Sequence, residues 1–201
     1  MEDKSNQTIN TYRENFHKYS ERTASEVSGE FKEWEDAFCE KLPQGGLIFE
    51  IGSATGRDAR YFKSKGFNIL CTDVIPEALD NLAKEGFETS EFDFRNQPKD
   101  EWLNKFDGFF ANAVLLHATK EVFEQALNNI SKILKKDGVI AFSLKTGEGE
   151  EISTEKMDSP RYFKYYSEEE IRNILKNYPF EIISLSKADN DKWLHVILKN
   201  K

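Results

Sequence analysis

The run Phe49-Glu50-Ile51-Gly52-Ser53-Ala54-Thr55-Gly56-Arg57-Asp58 gathers residue types that can handle a ligand. Gly52 and Gly56 remove side chains where a backbone must turn sharply or approach a bound group closely. Two phosphate-binding patterns fail here. Counted from Gly52, a G-x-G-x-x-G fingerprint needs glycine where Ala54 and Arg57 stand, and the Gly-Lys-Ser/Thr of a P-loop is absent. Glu50 stands two positions before the first glycine; facing this crevice, it would repel a pyrophosphate and suit a ligand bearing positive charge. Asp73 follows Gly52 by 21 residues, where an acidic side chain can accept both hydroxyls of a ribose. Together these positions ask for a ribose and a cation, without a diphosphate.

The elements that must hold these residues are legible as short apolar runs alternating with amphipathic stretches. LIFEI, residues 47–51, reads as a strand running into the glycine turn, and ARYFKSKG as a helix stopped by Gly66. NILCTD, residues 68–73, is the next strand. PEALDNLAKEG opens on Pro76, a favourable first helical residue, and closes on Gly86. ETSEFDF is a weaker strand, and residues 106–116 a strand entering a loop. Val122, Phe123, Leu127, Ile130, Ile133 and Leu134 have helical spacing, with Lys135 and Lys136 in the last turn. GVIAFSLK, residues 138–145, reads as a buried strand. Ser167 and Glu170 make a capping box for the last helix, and FEIISLS and WLHVILKN are two closing strands.

Five strands separated by helices and then two in succession predict an α/β fold: seven strands, mostly parallel, with an antiparallel strand at the C-terminal end. Residues 9–41 read as helical, with Tyr12, Phe16 and Tyr19 on one face. They form a helical cap, residues 1–44, on a core spanning residues 45–201, within a single domain. In such a sheet a ligand binds outside the carboxyl ends of the strands.

A ribose, a sulfonium and an ammonium are what S-adenosylmethionine carries. EIGSATG resembles motif I, D/E-x-G-x-G-x-G, of the class I S-adenosylmethionine-dependent methyltransferases, with Ala54 replacing the middle glycine. TDVIPEAL resembles their ribose-binding acidic loop, EFDF their adenine clamp, FDGFFANAVLLH their motif IV, and LKKDGVIAFSLK their K-P-G-G strand entry. SLKTGEGEE followed by RYFKYYSEEEIRNIL is similar to a branch of small bacterial methyltransferases with a K-x-G-E-G-E stretch. The resemblance covers residues 45–200 in order. It implies a Rossmann-like fold, S-adenosylmethionine as cofactor and S-adenosylhomocysteine as product. The cofactor-binding positions it implies are Tyr12, Tyr19, Glu50, Gly52, Ser53, Gly56, Arg57, Asp58, Asp73, Val74, Asp93, Phe94, Asn112 and Ala113. Asp93 is placed at the adenine amine and Phe94 beside the ring. His117, after the fourth strand, is the candidate catalytic residue, for orientation or proton acceptance. With Lys145, Arg161, Tyr162 and Tyr165 it makes up the candidate acceptor site.

Composition narrows the acceptor. The chain has 201 residues, 28 Lys plus Arg against 36 Asp plus Glu, and a net charge of −8. That balance disfavours a general nucleic-acid binder, which needs a positive field. A small-molecule acceptor is therefore the first expectation. A tRNA acceptor remains as the alternative because RYFKYY is basic and aromatic, and a non-catalytic binding protein is the third reading. Residues 147–158 read as a mobile acidic loop or a substrate lid. Cys39 and Cys71 are dispersed, as are His17, His117 and His195, so no metal site is expected. The start is polar and no run approaches a membrane span. A cytoplasmic monomer or weak homodimer is the expectation.

Overall fold

The computed structural model describes residues 4–201. The chain runs α1 (Lys4–Glu21), α2 (Gly29–Cys39), β1 (Leu47–Ile51), α3 (Arg57–Ser64), β2 (Asn68–Asp73), α4 (Pro76–Lys84) and β3 (Glu88–Glu91). It continues through β4 (Phe106–Ala111), α5 (Lys120–Ile133), β5 (Leu134–Thr146), β6 (Glu150–Ser153), β7 (Arg161–Tyr166), α6 (Glu168–Leu175), β8 (Phe180–Ala188) and β9 (Trp193–Asn200). Strands β3, β2, β1, β4 and β5 lie side by side in parallel. β9 joins β5 antiparallel, and β8 joins β9 at the edge. The parallel α/β sheet with an antiparallel C-terminal strand is as expected.

Period-two alternation decides which helix covers which face. Phe49, Ile51, Phe109, Ile140 and Phe142 point to one side, where Phe123, Leu127 and Ile130 of α5 and Ile171 and Ile174 of α6 meet them. Ile48, Ile69, Phe110, Val139 and Ala141 point to the other, against Trp34 and Phe38 of α2, Phe62 of α3 and Leu82 of α4. Both layers are rich in aromatic rings; Phe49 alone packs edge-on to Trp102 and Phe106 at 5.0 and 4.9 Å. Ser167 caps α6 as its sequence predicts, its hydroxyl accepting from the Glu170 N–H at 3.1 Å. Among the described residues no helix is long and apolar enough to cross a membrane.

Four expectations are corrected. Among the described residues the sheet has nine strands, not seven. The acidic stretch expected as a loop contributes β6, which pairs antiparallel with β7. β7 also pairs in parallel with the last residues of β5, at Lys145 and Thr146. Lys145 is paired with Trp193 of β9 as well, so this hairpin sits on β4's side, beyond the end of β4. The cap is two helices, α1 and α2, separated by the non-helical residues 22–28. β5 begins at Leu134 rather than 138, with a register irregularity that accommodates residues 135–138 between its pairings to Phe106 and Gly108.

Candidate functional site

β1 has β2 on one side and β4 on the other, so successive connections leave it in opposite directions and a crevice opens at its carboxyl end. Ile51, Gly52 and Ala54 line that crevice. Asp73, Val74 and Ile75 at the end of β2, residues 92–95 after β3, Asn112, Ala113 and Val114 after β4, and His117 complete its inner walls. Thr8, Ile9, Tyr12, Phe16 and Tyr19 of α1 close it from above. The free volume of the cavity is about 110 Å³.

The turn is built around Asp73. One carboxylate oxygen accepts the Ala54 N–H at 2.9 Å and the other accepts the Ile75 N–H at 3.0 Å. Each oxygen keeps a further lone pair, so the carboxylate can fix the turn and still receive two hydroxyls. Burial pushes its pKa up, and the N–H groups of Ala54, Ile75 and Val74 pull the other way. Gly52 and Gly56 both have positive φ, +67 and +76. A Cβ on Gly52 would stand 2.3 Å from Val114 Cγ2, so this glycine allows the wall after β4 to close on the turn.

Ala54 also has positive φ, +47, where a Cβ is strained. Ala54→Gly is therefore expected to stabilise the chain by about 1 kcal/mol, the αL penalty less the extra glycine chain entropy. Urea unfolding checks this; an equal loss of stability would contradict it.

Glu50 is placed differently from expectation. Alternation along β1 turns it away from the cavity, to the side of Ile48, and it lies 98% buried beneath the turn. Burial, and next the nearby Asp58, push its pKa up to about 8, with the Ser53 and Cys71 side chains opposing. Buried Glu35 of α2 is raised to about 10, by burial first and then by Asp58. Folding therefore takes up protons at neutral pH. These groups' stabilising contribution is complete below about pH 4.5 and is lost as pH rises through about 8 for Glu50 and about 10 for Glu35. Without cofactor, stability is expected to fall by about 1 kcal/mol or more per pH unit between pH 7 and 8. Glu50→Gln should flatten that slope in urea titrations at fixed pH; an unchanged slope would show that Glu50 folds ionised.

The other positions divide clearly. Tyr12, Tyr19, Gly52, Asp73, Val74, Asp93, Phe94, Asn112, Ala113 and His117 line the cavity. Ser53, Gly56, Arg57 and Asp58 stand behind it. Arg57 clasps Asp58 at 2.5 and 3.1 Å, and Asp58 receives Asn112 Nδ2 at 3.2 Å. Ser143 Oγ donates to Asn112 Oδ1 at 2.8 Å and accepts the Ala113 N–H at 2.8 Å, which pins the end of β4 to β5. Asp93 is held by Arg95 at 2.5 and 2.9 Å, and Arg95 reaches Asn6 of α1 at 2.7 Å.

Lys145, Arg161, Tyr162 and Tyr165 do not line the cavity, but Arg161 and Tyr162 hold Tyr12 and His117, which do. His117 Nδ1 lies 2.6 Å from the Tyr162 carbonyl oxygen, which can only accept, so the proton is on Nδ1. Nε2 then accepts from the Tyr12 hydroxyl at 3.1 Å. Arg161 donates to the same hydroxyl at 3.2 Å. Burial lowers the His117 pKa to about 4, so the imidazole is neutral at pH 7 and places no positive charge in the cavity.

Thr8, Ile9, Ile75, Phe92, Arg95 and Val114 also line the cavity and were not singled out from sequence, and Phe16, noted there only for sharing a face with Tyr12 and Tyr19, lines it too. The signal for the α1 members was the spacing of Thr8, Tyr12, Phe16 and Tyr19, which puts all four on one helical face.

Residues 49–140 match a sequence family described as a methyltransferase domain. They span the glycine turn, Asp73, Asp93 and the wall after β4. This stretch, a little under half of the chain, is similar to a methyltransferase domain, and the match supports a class I S-adenosylmethionine-dependent methyltransferase. In fold the chain resembles several solved structures. One is the Burkholderia thailandensis 1,6-didemethyltoxoflavin-N1-methyltransferase, solved with 1,6-didemethyltoxoflavin and S-adenosylhomocysteine (TM-score 0.74, 16% identity, 98% of this chain and 87% of that one). Another is an S-adenosylmethionine-dependent methyltransferase from Clostridium acetobutylicum (0.70, 16%, 94% and 98%). A third is a Rhodobacter sphaeroides protein assigned to the zinc-dependent alcohol dehydrogenases (0.79, 12%, 100% and 100%). At such identities the likeness is one of fold. Among the described residues, no three His, Cys, Asp or Glu side chains are grouped to hold a metal. No functionally curated protein matches the chain by sequence.

Proposed function

We propose that this enzyme transfers the methyl group of S-adenosylmethionine to a small molecule admitted beneath α1. The enclosure of the cavity by that helix carries the reading. Thr8 Oγ1 accepts the Tyr162 N–H at 2.8 Å, Thr11 donates to the Pro160 carbonyl at 2.6 Å, and Arg13 donates to the Val74 carbonyl at 3.2 Å. A helix tied to both rims leaves room for a compact acceptor and none for a folded nucleic acid. RYFKYY, which suggested tRNA, lies in β7 with Arg161, Tyr162, Phe163 and Tyr166 buried, so it offers no open basic face.

Asp73 is suited to the ribose hydroxyls, residues 92–95 to the adenine, and the turn at Gly52 and Ala54 to the amino-acid end. The acceptor's lone pair attacks the methyl carbon as the carbon–sulfur bond breaks, leaving its pair on sulfur. The protein aligns the two and excludes water. His117, neutral and engaged by Tyr12, is suited to orienting the acceptor rather than to removing its proton.

Methyl-labelled S-adenosylmethionine incubated with the enzyme and a cell extract tests the reading. Label should enter the low-molecular-weight filtrate and be insensitive to ribonuclease. Label confined to ribonuclease-sensitive material would favour tRNA, and none anywhere would favour the non-catalytic alternative.

A further inference from the structure

Six of the seven arginines, Arg13, Arg22, Arg57, Arg60, Arg95 and Arg172, stand within ion-pair distance of a carboxylate. Arg161 is the exception, although it is 94% buried. Among the described residues its guanidinium donates only to neutral oxygens, the Tyr12 hydroxyl and the Glu155 carbonyl at 2.7 Å, and its Nε is buried without a partner. A guanidinium taken out of water is costly unless an anion meets it, and in a chain of net charge −8 carboxylates are not scarce.

A second cation shares the place. Arg161, Phe163 and Tyr165 alternate onto one face of β7. Arg161 lies over the Phe163 ring at 5.0 Å, and the Lys145 ammonium lies over the same ring at 4.9 Å. Lys145 has no carboxylate partner among the described residues. Two like charges against one ring repel each other, and an anion between them relieves both. The same ring is 4.8 Å from His117, which lines the cavity.

We infer that the acceptor is a small organic anion, whose carboxylate or phosphate is held by Arg161 and Lys145 while its nucleophilic atom faces the methyl group. This deepens the small-molecule reading above and rests on it. The anion also explains why the guanidinium points at the Tyr12–His117 pair: the charged group anchors at the edge of the cavity that those two residues form.

The test uses the full chain saturated with S-adenosylhomocysteine, into which benzoate, phenyl phosphate and benzamide are titrated by calorimetry. At least one anion should bind about tenfold or more tightly than neutral benzamide, as expected of a charge-assisted, bidentate contact, and the better anion tells carboxylate from phosphate. Arg161→Gln should erase the preference and Arg161→Lys recover part of it. Lys145→Gln, at a half-exposed position, should weaken it even if the Arg161 variants fold poorly. Equal binding of the three probes, including none by any, overturns the inference, as does a preference that survives Arg161→Gln. Arg161→Gln weakening S-adenosylhomocysteine while leaving 5′-methylthioadenosine unchanged also overturns it, by assigning the guanidinium to the cofactor's carboxylate. Failure of the unsubstituted chain to bind S-adenosylhomocysteine defeats the parent reading instead, and is seen before any probe is added.

Discussion

Asp73→Ala is expected to weaken S-adenosylhomocysteine binding by about 100-fold or more. The carboxylate is 94% buried at the cavity wall, with both oxygens already holding the turn. Two ribose hydroxyls given to a charged acceptor contribute about 1.5–3 kcal/mol each, and every 1.4 kcal/mol is about tenfold. The same substitution frees the Ala54 and Ile75 N–H groups, so the turn that faces the amino-acid end loosens as well. Asp73→Asn separates the two effects. It keeps one acceptor for the backbone but turns an amide toward the other donor, so binding should fall while the fold is largely kept. Calorimetry reads the affinity and urea unfolding the stability. An Asp73→Ala variant that binds normally would remove the ribose from this position.

Gly52→Ala is expected to destabilise the fold by about 2–5 kcal/mol and to abolish cofactor binding. Two costs combine. A Cβ at φ +67 is strained by about 1–2 kcal/mol, and one placed 2.3 Å from Val114 Cγ2 must push that wall outward, at about 1–3 kcal/mol. Gly86→Ala is the control. Its φ is +80 but nothing lies within 4 Å of the added Cβ, so only the backbone cost should appear. If the two variants lose equal stability, Val114 yields freely and the turn is not closed by close packing. Val114 lines the same cavity, so any outward shift also alters the space beside the cofactor.

The sheet was readable because its strands are buried on both faces and so appear as unbroken apolar runs, LIFEI and NILCTD above all. Glycine, proline and capping signals marked the ends of the helices between them. β6 escaped because EEIS, at the rim, has little of itself buried and gains its pairing from β7 rather than from its own pattern. The break before α2 escaped because helical periodicity persists on either side of it.

At the site, Gly52, Asp73 and the residues around 93 and 112 were legible because each sits where a strand ends at the crevice. Glu50 was misplaced for a reason that alternation makes plain: with Phe49 and Ile51 facing α5 and the cavity, residue 50 must face α2. The carboxylates that line the cavity are Asp73 and Asp93, while behind the turn Glu50 and Glu35 are held protonated by burial and Asp58 is paired with Arg57. The Arg161–Tyr12–His117–Tyr162 chain could not be read from sequence, since it joins positions up to 149 residues apart through a hairpin that the pattern did not announce.

The central claim is that this crevice takes an adenosyl group joined to a sulfur-bearing amino acid and rejects a diphosphate. Parallel calorimetric titration of the full chain with S-adenosylhomocysteine and with NAD measures it most directly. Saturable one-to-one binding of S-adenosylhomocysteine, with no heat from NAD over the same range, is the result predicted here; tight NAD binding and an inert S-adenosylhomocysteine titration would contradict it.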